Sequence, residues 1–313
     1  MREEIIVSGR NNHLIDPHLE IWEWQIPSYL FLGGLAAGIL FFAGLYFIQK
    51  KEKEYNTAVA IAPIITPFLL VLGLFFLFLD LKHKLYFWQL YTTIKLESPM
   101  SWGAWVLMIV TPLSIVWAAL HIRSVFPNWD WKFEFLRQFE TFIAKYKLPM
   151  AWVMMISSVI LGIYTGILLS AFNARPLWNT SILGPLFLTS GLSTGAATII
   201  LLSKSHKERL AFAKIDLLLI AVEIFLIIHM FMGFRASTQV QIEAAQLFLG
   251  GEFTAVFWVF VMGLGLVIPA ILEIFELRNN KVPYIVAPIL VLFGGLMFRF
   301  IMVHAGQLSR WLY

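Results

Sequence analysis

Eight apolar runs alternate with shorter polar segments along the chain. They cover approximately residues 26–49, 58–80, 100–122, 149–172, 182–203, 211–233, 252–277 and 283–305. A helix needs about 20 apolar residues to cross the hydrocarbon core of a bilayer, and each run meets that length. The pattern predicts an all-α integral membrane protein with eight transmembrane helices. Pro63, Pro67, Pro112, Pro269 and Pro288 fall inside the runs, where a bundle tolerates them as kinks. Short connections between successive runs favour two four-helix bundles, one over 26–172 and one over 182–305, after an N-terminal segment 1–25.

Two connections are more than turns. Residues 124–148 carry Trp129, Trp131, Phe133, Phe135, Leu136, Phe139 and Phe142 among lysines and glutamates, a pattern that predicts an amphipathic helix lying at the membrane interface. Residues 81–99 are aromatic and basic, and are expected to form an ordered cap or a docking surface. Glycine pairs at four-residue spacing (Gly34/Gly38, Gly162/Gly166, Gly191/Gly195) mark places where helix backbones approach closely.

Composition agrees with the pattern. The chain of 313 residues is 59% hydrophobic and only 13% charged, against roughly 25% charged in soluble domains. The net charge of +4 does not point to nucleic acid, because the basic residues sit in connections where topology puts them. The connections after helices 1, 3, 5 and 7 hold 14 lysines and arginines; the termini and remaining connections hold 8. The positive-inside rule therefore predicts a cytoplasmic location for the first set and extracytoplasmic termini. The N-terminal segment has no basic stretch followed by an apolar one, so no cleavable signal peptide is expected and the first helix acts as its own insertion signal. There is no cysteine. This excludes a thiolate-ligated iron–sulfur cluster, a disulfide and thiol chemistry in this chain.

Ionisable groups inside a membrane are costly, so each is a candidate for function. Tyr29, Asp80 and Tyr164 fall in the outer half of helices 1–4, with His83 and Arg175 just above. Tyr164 lies about 12 Å below the outer end of helix 4, at 1.5 Å per residue. It opens a stretch, 164–179, that ends in a polar loop holding Asn173, Arg175, Trp178 and Asn179. An apolar slot with a phenol donor and a nearby acid suits a quinone headgroup. The same residues also read as interfacial anchors and caps. In helices 5–8 the candidates are Asp216, Glu223, His229, Glu273, Arg299 and His304. They read either as buried structural pairs or as stations of a proton path. His229 and His304 supply the minimum for one bis-imidazole haem, whereas a two-haem cytochrome would need four such histidines, and no haem is expected. The chain has no phosphate-binding Gly loop, zinc-protease motif or serine nucleophile turn.

Several motifs resemble one family. Glu97-Ser98-Pro99-Met100-Ser101-Trp102-Gly103-Ala104-Trp105 looks like the Ser-Pro-Met-Ser-Trp-Gly motif of the polysulfide reductase membrane subunit (NrfD/PsrC) family. Leu79-Asp80-Leu81 followed by Phe87-Trp88 resembles its Asp-Leu…Arg-Phe-Trp stretch, with Lys82-His83-Lys84 in place of Gly-Arg-Pro-like residues. Arg175-Pro176-Leu177-Trp178-Asn179 resembles its loop after helix 4, and Trp22, Trp24 and the Gly33–Gly38 run also fit. The resemblance covers the first four helices; helices 5–8 match in number and hydropathy. It implies a haem-free subunit of a complex for anaerobic respiration in a prokaryotic cytoplasmic membrane. Such a subunit would exchange electrons between a quinone (menaquinone or similar) and partners on the periplasmic or exterior face. Those partners would be an iron–sulfur subunit of ferredoxin type and a molybdopterin-type catalytic subunit.

The family's quinone-site tyrosine falls on Tyr164 and its helix 1 histidine on Tyr29, an exchange that keeps a donor but loses a near-neutral base. Proton handling then passes to Asp80 and His83. The expected quinone-binding set is Tyr29, Asp80, Trp102, Tyr164, Arg175 and Trp178, with Tyr164, Asp80 and His83 catalytic and no metal site. Two other classes remain open: a secondary transporter whose buried charges bind an ion or substrate, and a structural anchor without quinone.

Overall fold

The computed structural model describes residues 22–278 and 283–309, and those residues form helices and loops with no strand. Eight helices are long and apolar enough to cross a membrane. They are α1 (Gln25–Ile48), α2 (Thr57–Asp80), α3 (Pro99–Ser124), α4 (Lys147–Ser170), α5 (Leu183–Leu202), α6 (His206–Arg235), α7 (Thr254–Leu277) and α8 (Val286–Leu308). Seven begin within three residues of the apolar runs that predict them. The exception is α6, which starts at His206 rather than near 211. Its first turn is polar, and Ser205 caps it by accepting a hydrogen bond from the Glu208 amide at 3.4 Å. Apolar runs mark the membrane, and a capped helix extends beyond it.

The helix α1 packs against α2, α4 and α5 and touches α8. The helix α3 closes against α2 and α4. The helix α5 lies against α4, α6 and α8, while α7 packs on α6 and α8. At the α1–α5 crossing the backbones meet. A Cβ at Gly38 would overlap the Gly191 carbonyl oxygen and would lie 3.1 Å from the Gly195 Cα. Large apolar side chains face outward along α2, α3, α4 and α6, including Phe68, Phe75, Ile109, Ile156, Phe225 and Met232. In water this surface would be a liability; in hydrocarbon it costs nothing.

The start of α2 is irregular, with a π-helical turn over Thr57–Ile61 and a 3-10 turn over Ala62–Ile65 around Pro63. Irregular backbone in a membrane needs outside partners. Glu208 of α6 accepts from the Ala58 amide at 3.0 Å, and Trp117 of α3 donates its indole N–H to the Val59 carbonyl at 2.9 Å. The helix α7 carries an eleven-residue π-helical run, Phe257–Val267, just before Pro269. On the face opposite Asp80, the helix Glu134–Ala144 exposes Phe135, Phe139 and Phe142. It is tied back by ion pairing of Glu140 with Arg123 and by the Trp131 indole N–H, which donates to Glu140 at 3.0 Å. The connection 81–98 is ordered, with a 3-10 turn Lys84–Tyr86 and a short helix Gln89–Thr92.

Candidate functional site

Tyr29 of α1, Asp80 at the end of α2 and Tyr164 of α4 line one cavity of about 80 Å3. Trp22, Ile26, Leu77, Leu107 and Leu168 supply apolar wall, and Leu90 and Tyr91 of the 81–98 connection close it from above. Tyr29 and Tyr164 are 4% and 7% exposed, and Asp80 is half-buried. Burial pushes the Tyr91 phenol up from its ordinary value, so it stays protonated as a donor. The cavity thus gathers three phenols and one carboxyl within an apolar shell.

Gly103 explains how Tyr164 reaches this position. A Cβ there would overlap the Tyr164 ring and hydroxyl, so the ring crosses the α3 backbone where no side chain stands. Tyr164 also borders a second, nearly wholly apolar groove of about 510 Å3 between α3 and α4. Trp102, Val106, Ile160, Ile163 and Ile167 line that groove.

Other expected site residues lie outside the cavity. Trp102 is 53% exposed in the groove, and its indole N–H donates to the Leu96 carbonyl at 2.7 Å. His83 borders an open basic pocket of about 410 Å3 with Lys82 and Lys95, above the cavity. Arg175 donates to the carbonyls of Gln307 and Ser309 at 2.7 and 3.0 Å. Trp178 donates to the Met302 carbonyl at 2.8 Å, and its ring packs 5.4 Å from that of Trp22. Gln307 in turn exchanges two 2.8 Å hydrogen bonds with the Trp22 backbone. Arg175 and Trp178 thus hold the loop after α4 against the end of α8, and Trp22, which lines the cavity, packs on Trp178 and Gln307.

The second group divides in two. Arg299 is 1% exposed and donates to the Ser190 hydroxyl and to the Phe187 and Gly295 carbonyls, the latter two at 3.2 Å. Glu223, 2% exposed, lies near the same arginine and serine, so the two buried charges balance. Asp216 accepts from Ser193 at 2.5 Å, and Glu273 lies close enough for the two carboxyls to interact. His229 is on the exposed side of α6, stacked on Phe225, and His304 is half-buried beside Phe300; neither joins these clusters. Sequence reasoning missed Tyr91, Ser190 and Ser193. Tyr91 is one aromatic among many in its loop, and the serines lie in a run read for its glycines. Among the described residues no three His, Cys, Asp or Glu side chains gather as a metal site.

The chain matches the family described as Polysulphide reductase, NrfD, over residues 11–309. It is 31% identical to Protein NrfD of Escherichia coli (strain K12) over 304 residues, covering 92% of this chain and 96% of that protein. It is 29% identical to the C subunit of polysulfide reductase from Wolinella succinogenes over 301 residues, covering 92% and 94%. A Protein NrfD homolog of Haemophilus influenzae is 28% identical over 306 residues, covering 92% and 95%. The match runs through α5–α8, beyond the motifs of the first four helices. With eight apolar helices and a family match over nearly its whole length, the chain is a multi-pass membrane protein that belongs to the polysulphide reductase NrfD family.

Proposed function

We propose that this membrane subunit of a respiratory oxidoreductase exchanges electrons between the quinone pool and an iron–sulfur partner docked on the Asp80 face. The observation that carries the reading is the convergence of Tyr29, Tyr91, Tyr164 and Asp80 on one buried apolar cavity. The phenols donate hydrogen bonds to the two quinone carbonyls, and Asp80 takes up or returns the protons that accompany the electrons. At about 80 Å3 the cavity is well below the roughly 300 Å3 at which ligand pockets begin, so a quinone ring enters by displacing part of the wall. The movable part is Leu90–Tyr91, on a helix of four residues, rather than α1 or α4.

The relative from Wolinella succinogenes, itself a polysulfide reductase subunit, supports association with other subunits of a reductase. The surface they would meet is the 81–98 connection, where Leu85, Tyr86, Phe87, Trp88 and Ile94 are exposed among Lys82, Lys84 and Lys95. We take that face to be extracytoplasmic, following the lysine and arginine distribution. The partners expected there are a ferredoxin-type iron–sulfur subunit and a molybdopterin-type catalytic subunit. The helix contacts support two four-helix bundles, since α1–α4 close a ring through α1–α2, α2–α3, α3–α4 and α4–α1, and α5–α8 close another.

The test is Tyr164→Phe in the purified complex. One lost donor is worth about 0.5–1.5 kcal/mol, so apparent quinone affinity should fall up to about tenfold. Unchanged affinity for quinol and for quinone-site inhibitors would remove Tyr164 from the site.

A second reading is that the subunit also moves protons through its second half. The buried run of Glu273, Asp216, Ser193, Ser190, Glu223 and Arg299 favours it. His229 and His304 would lie off that route.

A further inference from the structure

Four carboxyls are buried in the second half of the molecule, and they are not equivalent. Glu208 accepts from the Ala58 amide and the Ser203 hydroxyl. Glu223 lies near the Arg299 guanidinium, so its charge is balanced. Asp216 and Glu273, 0% and 1% exposed, face each other across the α6–α7 contact. Ser193 donates to one oxygen of Asp216. The other Asp216 oxygen and both oxygens of Glu273 have no donor among the described residues.

Among the described residues the surroundings add no positive charge. The helix α5 offers the Ser193 hydroxyl, α7 adds the negative Glu276 nearby, Lys214 of α6 is exposed, and Arg299 of α8 is engaged by Ser190 and Glu223. Two bare carboxylates side by side in a membrane are doubly disfavoured, by burial and by mutual repulsion. The π-helical run Phe257–Val267 precedes Glu273 and turns fewer degrees per residue than an α-helix. It therefore sets which side of α7 carries Glu273, and such segments concentrate at functional sites.

We propose that Asp216 and Glu273 form a single-cation site, which holds one small cation, a proton or a sodium ion, between the two carboxyl groups with Ser193 in its shell. Its use in transport rests on the proton-path reading; its existence does not. The Glu223–Ser190–Arg299 cluster is then a fixed neutral neighbour, and the exchangeable charge is held at one place.

Infrared absorption of the purified complex, without quinol, tests this. In sodium-free buffer at neutral pH the wild type should carry the C=O band of a protonated buried acid. The Asp216→Asn/Glu273→Gln double variant should lack it, each single variant should move or remove it, and Glu223→Gln should leave it in place. If sodium is the occupant, the wild-type band should fade as NaCl replaces KCl at constant ionic strength, and one equivalent of radioactive sodium should bind per chain, lost in the double variant. A band identical in the wild type and the double variant, with no sodium binding, would overturn the proposal. So would a band that answers only to Glu223→Gln. Proteoliposomes separate the two claims: if the infrared result holds while Asp216→Asn builds the wild-type membrane potential, the cation site stands and the proton path falls.

Discussion

Asp80→Asn is expected to slow quinol-linked electron transfer by about 100-fold while the subunit inserts and assembles at wild-type level. General acid–base groups contribute about 10²–10⁴-fold to turnover, and among the described residues Asp80 is the only carboxyl lining the cavity that also holds Tyr29 and Tyr164. Asparagine keeps the shape and removes the exchangeable proton. The carboxyl sits in the last turn of α2, where a negative charge opposes the helix dipole. Its removal should therefore leave stability unchanged or raise it by about 0.3–1 kcal/mol. Steady-state turnover with a soluble quinol, together with a thermal unfolding curve, reads both effects. A variant that loses activity only because it fails to assemble would count against a chemical role for Asp80.

Gly38→Val is expected to cause the largest loss of stability. The new side chain would meet backbone on both sides, the Gly191 carbonyl and the Gly195 Cα, and backbone cannot rotate away. Overpacking costs about 1–3 kcal/mol and occasionally more, and this position belongs at the upper end. The α1–α5 crossing also carries much of the contact between the two halves. The change should lower the yield of folded protein and its unfolding midpoint. Gly233→Val is the control, since nothing lies within 4 Å of a Cβ there. Equal effects at the two positions would mean that helix propensity, and not the crossing, sets the result.

Hydropathy made the eight spans legible because the membrane demands a long apolar run from each, whatever it packs against. Chain direction and charge were enough to bring Tyr29, Asp80 and Tyr164 to a common depth. They were not enough to say which loop side chains turn into the cavity. Arg175 and Trp178 lie in the expected loop, yet both donate to carbonyls near the end of α8 rather than lining the cavity. Trp102 belongs to a distinctive motif, yet it faces the apolar groove while its neighbour Gly103 gives Tyr164 its room. The pairing of Glu273 with Asp216 depends on the turn of the π-helical run in α7, which hydropathy does not register. His229 illustrates the converse: an ionisable residue in a span can stand on the exposed side of its helix.

Photolabelling of the purified complex with an azido-substituted quinone, followed by peptide mapping, tests the quinone site most directly. The expected result is label on peptides containing Tyr29, Tyr91 or Tyr164, suppressed by excess unlabelled quinone and weakened by Tyr164→Phe. Competable label confined to α5–α8, or none on this subunit, would contradict it.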